Sequence, residues 1–151
     1  MQSIDSILNE TIELYNERKL NCAETVLVSM CRYMGVDDAL VPRIATTFGG
    51  GMGGTQSVCG AVTGGLMAIG IIMGREQGGD QLPARQAAAR FISEFNAAHG
   101  AKDCATLTGI DMSDPAQMEA FRAPGGGHHK VCNECVRWAC RYVARLYDER
   151  K

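Results

Sequence analysis

The chain has 151 residues, of which 46% are hydrophobic and 21% charged, and its formal net charge is −2. This length fits one domain with a buried core, and the absence of basic blocks argues against nucleic-acid binding. Seven cysteines are an odd number in a chain too long to need disulfide cross-links. We therefore expect a cytoplasmic protein that uses its cysteines for metal binding or redox chemistry.

The first part of the chain predicts two amphipathic helices and a short third one. Apolar residues recur at helical spacing over residues 3–18, with the first residue of that range as the N-cap. Asn21 can cap the second helix together with Glu24, in the pattern of a capping box, and Gly35 can end it. Pro42 can open the third helix.

The longest charge-free stretch of the chain covers residues 44–74. Residues 49–54 include five glycines, too many for a stable helix, and must form a loop. Residues 58–73 predict a buried central helix, in which Gly60 and Gly64 lie one turn apart and allow close helix contact. The glycines and the missing aromatic belt argue against a membrane span, so we expect no membrane contact.

The second half predicts further helices and no strand. A fifth helix is expected to start near Pro83 and to end before Gly100. A capped turn then carries Cys104, a short helix covers residues 115–121, and the last helix covers residues 129–150.

These patterns together predict the fold class. No alternating strand, internal repeat or linker interrupts the helical pattern of residues 1–151. We expect one all-α domain, a bundle of about five to seven helices around the buried glycine-rich central helix.

A signature in the centre of the chain resembles that of a known family. The segment FGGGMGG at residues 48–54, followed by CGA at residues 59–61 and by Gly64, is similar to the C_GCAxxG_C_C family of redox-active, cysteine-rich proteins. The family's earlier cysteine lies in an Asn-Cys-Ala stretch, here residues 21–23. The resemblance extends over about residues 21–146.

The resemblance implies a shared site for four cysteines on four segments. They are Cys22, Cys59, Cys104 and Cys132. Four thiolates are the usual ligand set of an iron–sulfur cluster or a structural zinc. The first three lie near predicted helix or turn starts, where N–H groups favour thiolates, and Cys59 is the candidate redox thiol. The alternative is that the four are unrelated core thiols.

The strongest local metal signal lies near the start of the last helix. Cys132 and Cys135 are three residues apart and share a helix face, and His128 lies one turn earlier. They could form a metal clamp or a CxxC redox pair, so Cys135 and His128 remain alternative ligands. We expect the histidines to lie in an exposed loop. Cys31 and Cys140 point away from the site by helical phase and should be structural.

Glycines could let a cofactor approach the backbone. Gly50, Gly51 and Gly53 of the loop, with Gly60 and Gly64 of the helix, are the candidates. The loop formally fits GxGxxG, but no βαβ unit surrounds it, which argues against a dinucleotide site.

The leading functional hypothesis is a small redox protein whose cysteines bind an iron–sulfur cluster or another metal. One alternative is a metal-free thiol–disulfide oxidoreductase that uses Cys59 with a partner thiol, and another is a non-catalytic helical module with passive core cysteines. We expect an unidentified redox partner and self-association as a homodimer.

Overall fold

The computed structural model describes all 151 residues, and its regular elements are helices. The α-helices are α1 (Ile4–Asn16), α2 (Cys22–Met34), α3 (Gly60–Met73), α4 (Leu82–His99), α5 (Cys104–Thr108), α6 (Pro115–Arg122) and α7 (Asn133–Glu149). A 3₁₀ helix spans Arg43–Phe48, and a π-helical turn spans His128–Cys132. Only one isolated β-bridge joins two segments, so the predicted all-α fold with up to seven helices is confirmed.

The helix boundaries follow the start and stop signals of the sequence. The Ser3 side chain accepts a hydrogen bond from the amide of Ser6 and caps α1. Asn21 and Glu24 form the expected capping box at the start of α2, and Gly35 ends that helix in the left-handed region with φ of 70°. The helix after Pro42 is a 3₁₀ helix.

Helix α3 lies at the centre of the fold and packs against α2, α4 and α7. Its first half is buried on all sides, and Val62 and Ile69 belong to the main core with Phe91 and Phe95 of α4. Gly64 faces α2 so closely that a Cβ there would lie 2.7 Å from the carbonyl oxygen of Ala23. The predicted central helix is confirmed, and its small residues allow this contact.

The second half of α3 differs from the expectation of a fully buried helix. Gly70 is exposed, and Ile71 keeps 43% of its surface accessible. A Cβ added at Gly70 would meet no neighbouring atom within 4 Å, so no element covers this side of the helix. None of the helices combines the length and the apolar character needed to cross a membrane.

The glycine-rich segment forms the predicted loop. Gly50, Gly51, Gly53 and Gly54 all have positive φ angles between 62° and 73°. L-residues rarely adopt this conformation, so the backbone path depends on glycine. The loop returns the chain from the 3₁₀ helix to the start of α3.

Candidate functional site

One cavity of about 380 Å³ collects five cysteines from four separate segments of the chain. Its lining includes Cys22, Cys59, Cys104, Cys132 and Cys135. The structure thus brings together all four cysteines that the family resemblance selected, together with the alternative, Cys135. Cys31 and Cys140 do not line the cavity; they are buried in the hydrophobic core, as their helical phase predicted.

Cys22 is the first residue of α2, and the capping box fixes its position. The Asn21 amide donates to Glu24 Oε1, and the Glu24 amide donates back to Asn21 Oδ1, both at 2.9 Å. Burial, together with the charge of Cys59, raises the pKa of the Cys22 thiol to about 11. Amide groups of Gly50, Ala23 and Gly60 act in the opposite direction because they stabilise the thiolate.

Cys59 is the N-cap of α3 and differs electrostatically from the other cavity cysteines. A hydrogen bond from the Cys135 thiol lowers the pKa of Cys59, and the backbone amides of Ala61 and Val62 add to the effect. The same hydrogen bond, followed by burial, raises the pKa of Cys135. Of the cavity cysteines, Cys59 at the start of a helix therefore loses its proton most readily, and Cys135 acts as the donor to it.

Cys104 is held next to Cys59 by two backbone hydrogen bonds. The Cys104 amide donates to the carbonyl of Ser57 at 2.6 Å, and the Cys59 amide donates to the carbonyl of Lys102 at 2.8 Å. Burial and the charges of Cys59 and Cys22 together raise the pKa of the Cys104 thiol to about 12. Gly51 packs behind it, where a Cβ would lie only 2.7 Å from the Cys104 Cβ.

Cys132 lies in the π-helical turn that precedes α7. Burial and the charges of Cys59 and Cys22 raise its pKa to about 12, although a hydrogen bond with Tyr15 acts in the opposite direction. Cys132 and Cys135 both line the cavity, so both lie beside the other three cysteines. π-Helical turns such as the one that carries Cys132 are frequent at functional sites.

The expectation that the histidines lie in an exposed loop was wrong. His128 and His129 are both partly buried, because the π-helical turn begins directly after the glycine run and folds back onto α1. The His128 ring lies 4.4 Å from the Tyr15 ring, and its Nε2 donates to Asn16 Oδ1 at 3.1 Å. Burial and the nearby charges of His129 and the arginines lower the pKa of His128 to about 4. His128 lines the cavity.

The predicted cofactor-binding glycines divide into two groups. Gly50 and Gly60 line the cavity, and Gly51 supports Cys104 from behind. Gly53 and Gly64 lie outside the lining: Gly53 is exposed in the loop, and Gly64 is buried against α2. Position 64 holds a glycine because α2 and α3 approach each other closely there.

Three cavity residues were missed by reasoning from the sequence. Tyr15 is 8% exposed, and burial together with the charges of Cys22 and Cys132 raises its pKa well above the ordinary value. Arg18 and Arg122 also line the cavity. In the sequence, Tyr15 looks like one more residue of the apolar face of α1. No local pattern marks the two arginines, because Arg18 follows α1 and Arg122 ends α6, far away in the sequence.

No group of three or more His, Cys, Asp or Glu side chains converges closely enough to hold one metal ion. A mononuclear zinc site needs its sulfur atoms about 2.3 Å from a single point. The cysteines instead surround the cavity, with one close pair formed by Cys59 and Cys135. This arrangement can support two-thiol chemistry or enclose a group larger than one ion.

Comparison with known proteins gives one family. No curated protein and no solved structure shows significant similarity to the chain. The family model described as "Putative redox-active protein (C_GCAxxG_C_C)" matches residues 20–146, which contain every cysteine of the cavity. The match covers most of the chain, and the chain belongs to the C_GCAxxG_C_C family of redox-active proteins.

Proposed function

We propose that the cysteine-lined cavity is the redox centre of the protein and that its thiolates bind an iron–sulfur cluster. The observation that carries the proposal is the number of thiols: five cysteines from four segments surround one cavity. A dithiol reaction needs only two cysteines, and cysteines that merely fill the core are not expected to line one cavity together. Such a cluster, when bound, supplies electron transfer.

The donor set fits a cluster better than a single ion. In a cluster the cysteine ligands are distributed over several iron atoms, so their sulfur atoms need not converge on one point. The cysteines of this cavity lie around a space of about 380 Å³ without any group of three converging on one point. This spacing argues against structural zinc.

The electrostatics of the cavity also favour a cationic occupant. The thiols of Cys22, Cys104 and Cys132 have raised pKa values because of burial and because the charge of Cys59 opposes further ionisation. A bound cation offsets these thiolate charges and favours deprotonation of the whole set. Backbone amides at the starts of α2 and α3 add to this stabilisation.

The test is anaerobic reconstitution with ferrous iron and sulfide, followed by iron and sulfide analysis and visible absorbance. The wild type should retain both elements and become brown. Serine at Cys22, Cys59 or Cys104 should abolish or strongly reduce uptake, while serine at Cys31 or Cys140 should leave it unchanged. A wild-type protein that retains no more iron and sulfide than Cys59→Ser would contradict the proposal.

The hydrogen bond between Cys135 and Cys59 favours a second candidate, a metal-free thiol–disulfide exchange. The Cys59 thiolate would attack one sulfur of a substrate disulfide, forming a mixed disulfide and releasing one substrate thiolate. Cys135 would lose its proton to solvent, attack Cys59 Sγ and release the second substrate thiolate. The substrate gains two electrons, and the two cysteines end as a disulfide.

This candidate is tested with a small aromatic disulfide and mass spectrometry. The wild type should lose two hydrogens and form a Cys59–Cys135 disulfide. Cys135→Ser should stop at the mixed disulfide on Cys59, and Cys140→Ser should behave as the wild type. Equal reaction rates of the wild type and Cys59→Ser would rule this candidate out.

A further inference from the structure

Two arginines lie on the cavity wall without an ion-pair partner. Arg18 and Arg122 both line the cavity, and both side chains are exposed. The four ion pairs of the protein join Lys19 to Glu17, Arg32 to Glu10, Arg141 to Asp5 and Lys151 to Asp148, and none involves either arginine. Since the cysteines are partly or fully buried, the arginines mark the open side of the cavity and the thiols its floor.

The backbone places both arginines at this opening. Arg18 follows the end of α1 with φ of 63°, a left-handed conformation that is unfavourable for a residue with a side chain. The amides of Lys19 and Leu20 both donate to the carbonyl of Leu14, which closes the end of the helix and turns the chain towards the opening. Arg122 is the last residue of α6.

No carboxylate of the protein forms an ion pair with Arg18 or Arg122. Burial and then the charge of Arg18 lower the pKa of Arg122, and burial, His129 and both arginines lower the pKa of His128, so the arginines and His128 repel one another when charged. The only carboxylate in the cavity lining is that of Glu24. Its two oxygens already accept hydrogen bonds from the Asn21 amide at 2.9 Å and from Thr46 Oγ1 at 2.8 Å.

Much of the cavity lining is apolar. It includes Leu20, Met118 and Phe121. Two cations beside an apolar wall suit a ligand that has an anionic group attached to an apolar body. Arginine binds carboxylates in a planar, two-bond geometry, which makes the carboxylate the natural partner.

We propose that the mouth of the cavity binds a small organic carboxylate between Arg18 and Arg122, with its apolar part directed towards the cysteines. The inference goes beyond the redox function, because it concerns binding at the opening and holds whatever group the thiols bind. It adds a recognition site for a small anionic molecule next to the proposed redox centre.

The test is calorimetric titration of the reduced protein with benzoate, using benzamide as the uncharged probe of the same shape. Ionic strength is kept constant with chloride. Benzoate should bind at least roughly tenfold more tightly than benzamide, and the double variant Arg18→Gln/Arg122→Gln should lose this preference. Arg85→Gln, at an exposed arginine on α4, should bind benzoate as the wild type does.

Three results would overturn the inference: no benzoate binding at millimolar concentration, equal binding of benzamide, or unchanged benzoate binding by the double variant. Circular dichroism checks that the variants fold, and Arg18→Gln alone carries the test if Arg122→Gln fails to fold. Titration of the protein before and after iron loading separates the two proposals. Selective benzoate binding by a protein that takes up no iron would support the anion site and contradict only the cluster.

Discussion

At the residue scale, the missing side chain at position 60 leaves room for the Cys22 sulfur. A Cβ at Gly60 would overlap Cys22 Sγ and would lie 2.9 Å from the amide nitrogen of Ala23. The site therefore needs a glycine at this position for close packing, and not for an unusual backbone angle. Gly70, in the same helix, has open space around it and offers a matched control.

We predict that Gly60→Ala destabilises the protein by about 1–3 kcal/mol and reduces iron uptake, because Cys22 must move to make room. Gly70→Ala, measured at a concentration at which the protein is monomeric, should instead stabilise it by about 0.5–1 kcal/mol, since alanine is the better helix former. Denaturant unfolding and iron analysis measure the two effects. A Gly60→Ala protein as stable as Gly70→Ala would show that the overlap does not exist.

The second residue-scale prediction concerns the cap that positions Cys22. Asn21 accepts from the Glu24 amide and also donates through Nδ2 to the carbonyl of Thr46 at 2.9 Å. Asn21→Ala should cost about 1–2 kcal/mol and should lower iron uptake. Ser3→Ala removes the cap of α1, which carries no cysteine, and should lower the melting temperature without changing iron uptake. Equal iron uptake by the two variants would count against a positioning role for Asn21.

At the element scale, the contact between α2 and α3 holds the site together. Cys22 begins α2, Cys59 caps α3, and Gly64 lies where the two helices are closest. A Cβ at Gly64 would lie 2.9 Å from the Val26 Cβ as well as close to the backbone of Ala23. The spacing of these two helices thus determines how far apart two of the cavity thiols lie.

We predict that Gly64→Leu destabilises the protein by about 3 kcal/mol or more, because four carbon atoms cannot fit between the two helices without moving them apart. Thermal unfolding followed by circular dichroism measures the change. If Gly64→Leu melts within about a degree of the wild type, α2 and α3 are not packed as described.

At the scale of the whole molecule, His128 makes stability depend on pH. Its pKa is about 4 in the folded protein, against about 6.5 in an unfolded chain. Between these values the unfolded state binds a proton that the folded state does not, so stability falls as pH falls from about 6.5 to 4.

His128→Asn should remove this contribution. The difference in denaturation midpoint between about pH 7 and pH 5 should be smaller for the variant than for the wild type, when both are metal-free and reduced. A wild type and a variant with parallel pH profiles would mean that His128 titrates in the folded protein as it does in the unfolded chain.

The uncovered side of α3 bears on assembly. Gly70 and Ile71 are exposed in a helix that contains no charged residue. We predict a dimer that buries this surface, and Ile71→Glu should shift it to monomer. Light scattering at micromolar concentration measures the mass, and a wild type that is only monomeric would refute the prediction.

The sequence by itself determined the helices, their boundaries and the position of Cys59 at a helix start. These features depend on local physics. The signals are the period of apolar residues, the capping side chains and the glycines that end helices, and each acts over only a few residues of sequence. The motif around residues 48–64 also identified the family, whose pattern named four of the five cavity cysteines.

Only the tertiary structure decided which groups surround those cysteines. It paired Cys59 with Cys135, placed Tyr15 against Cys132 and His128 against Tyr15, and brought two arginines to the opening. It also left one side of the second half of α3 uncovered, although its sequence resembles that of a buried helix. These outcomes depend on how distant helices pack, and periodicity along one helix carries no information about which partner will cover each face.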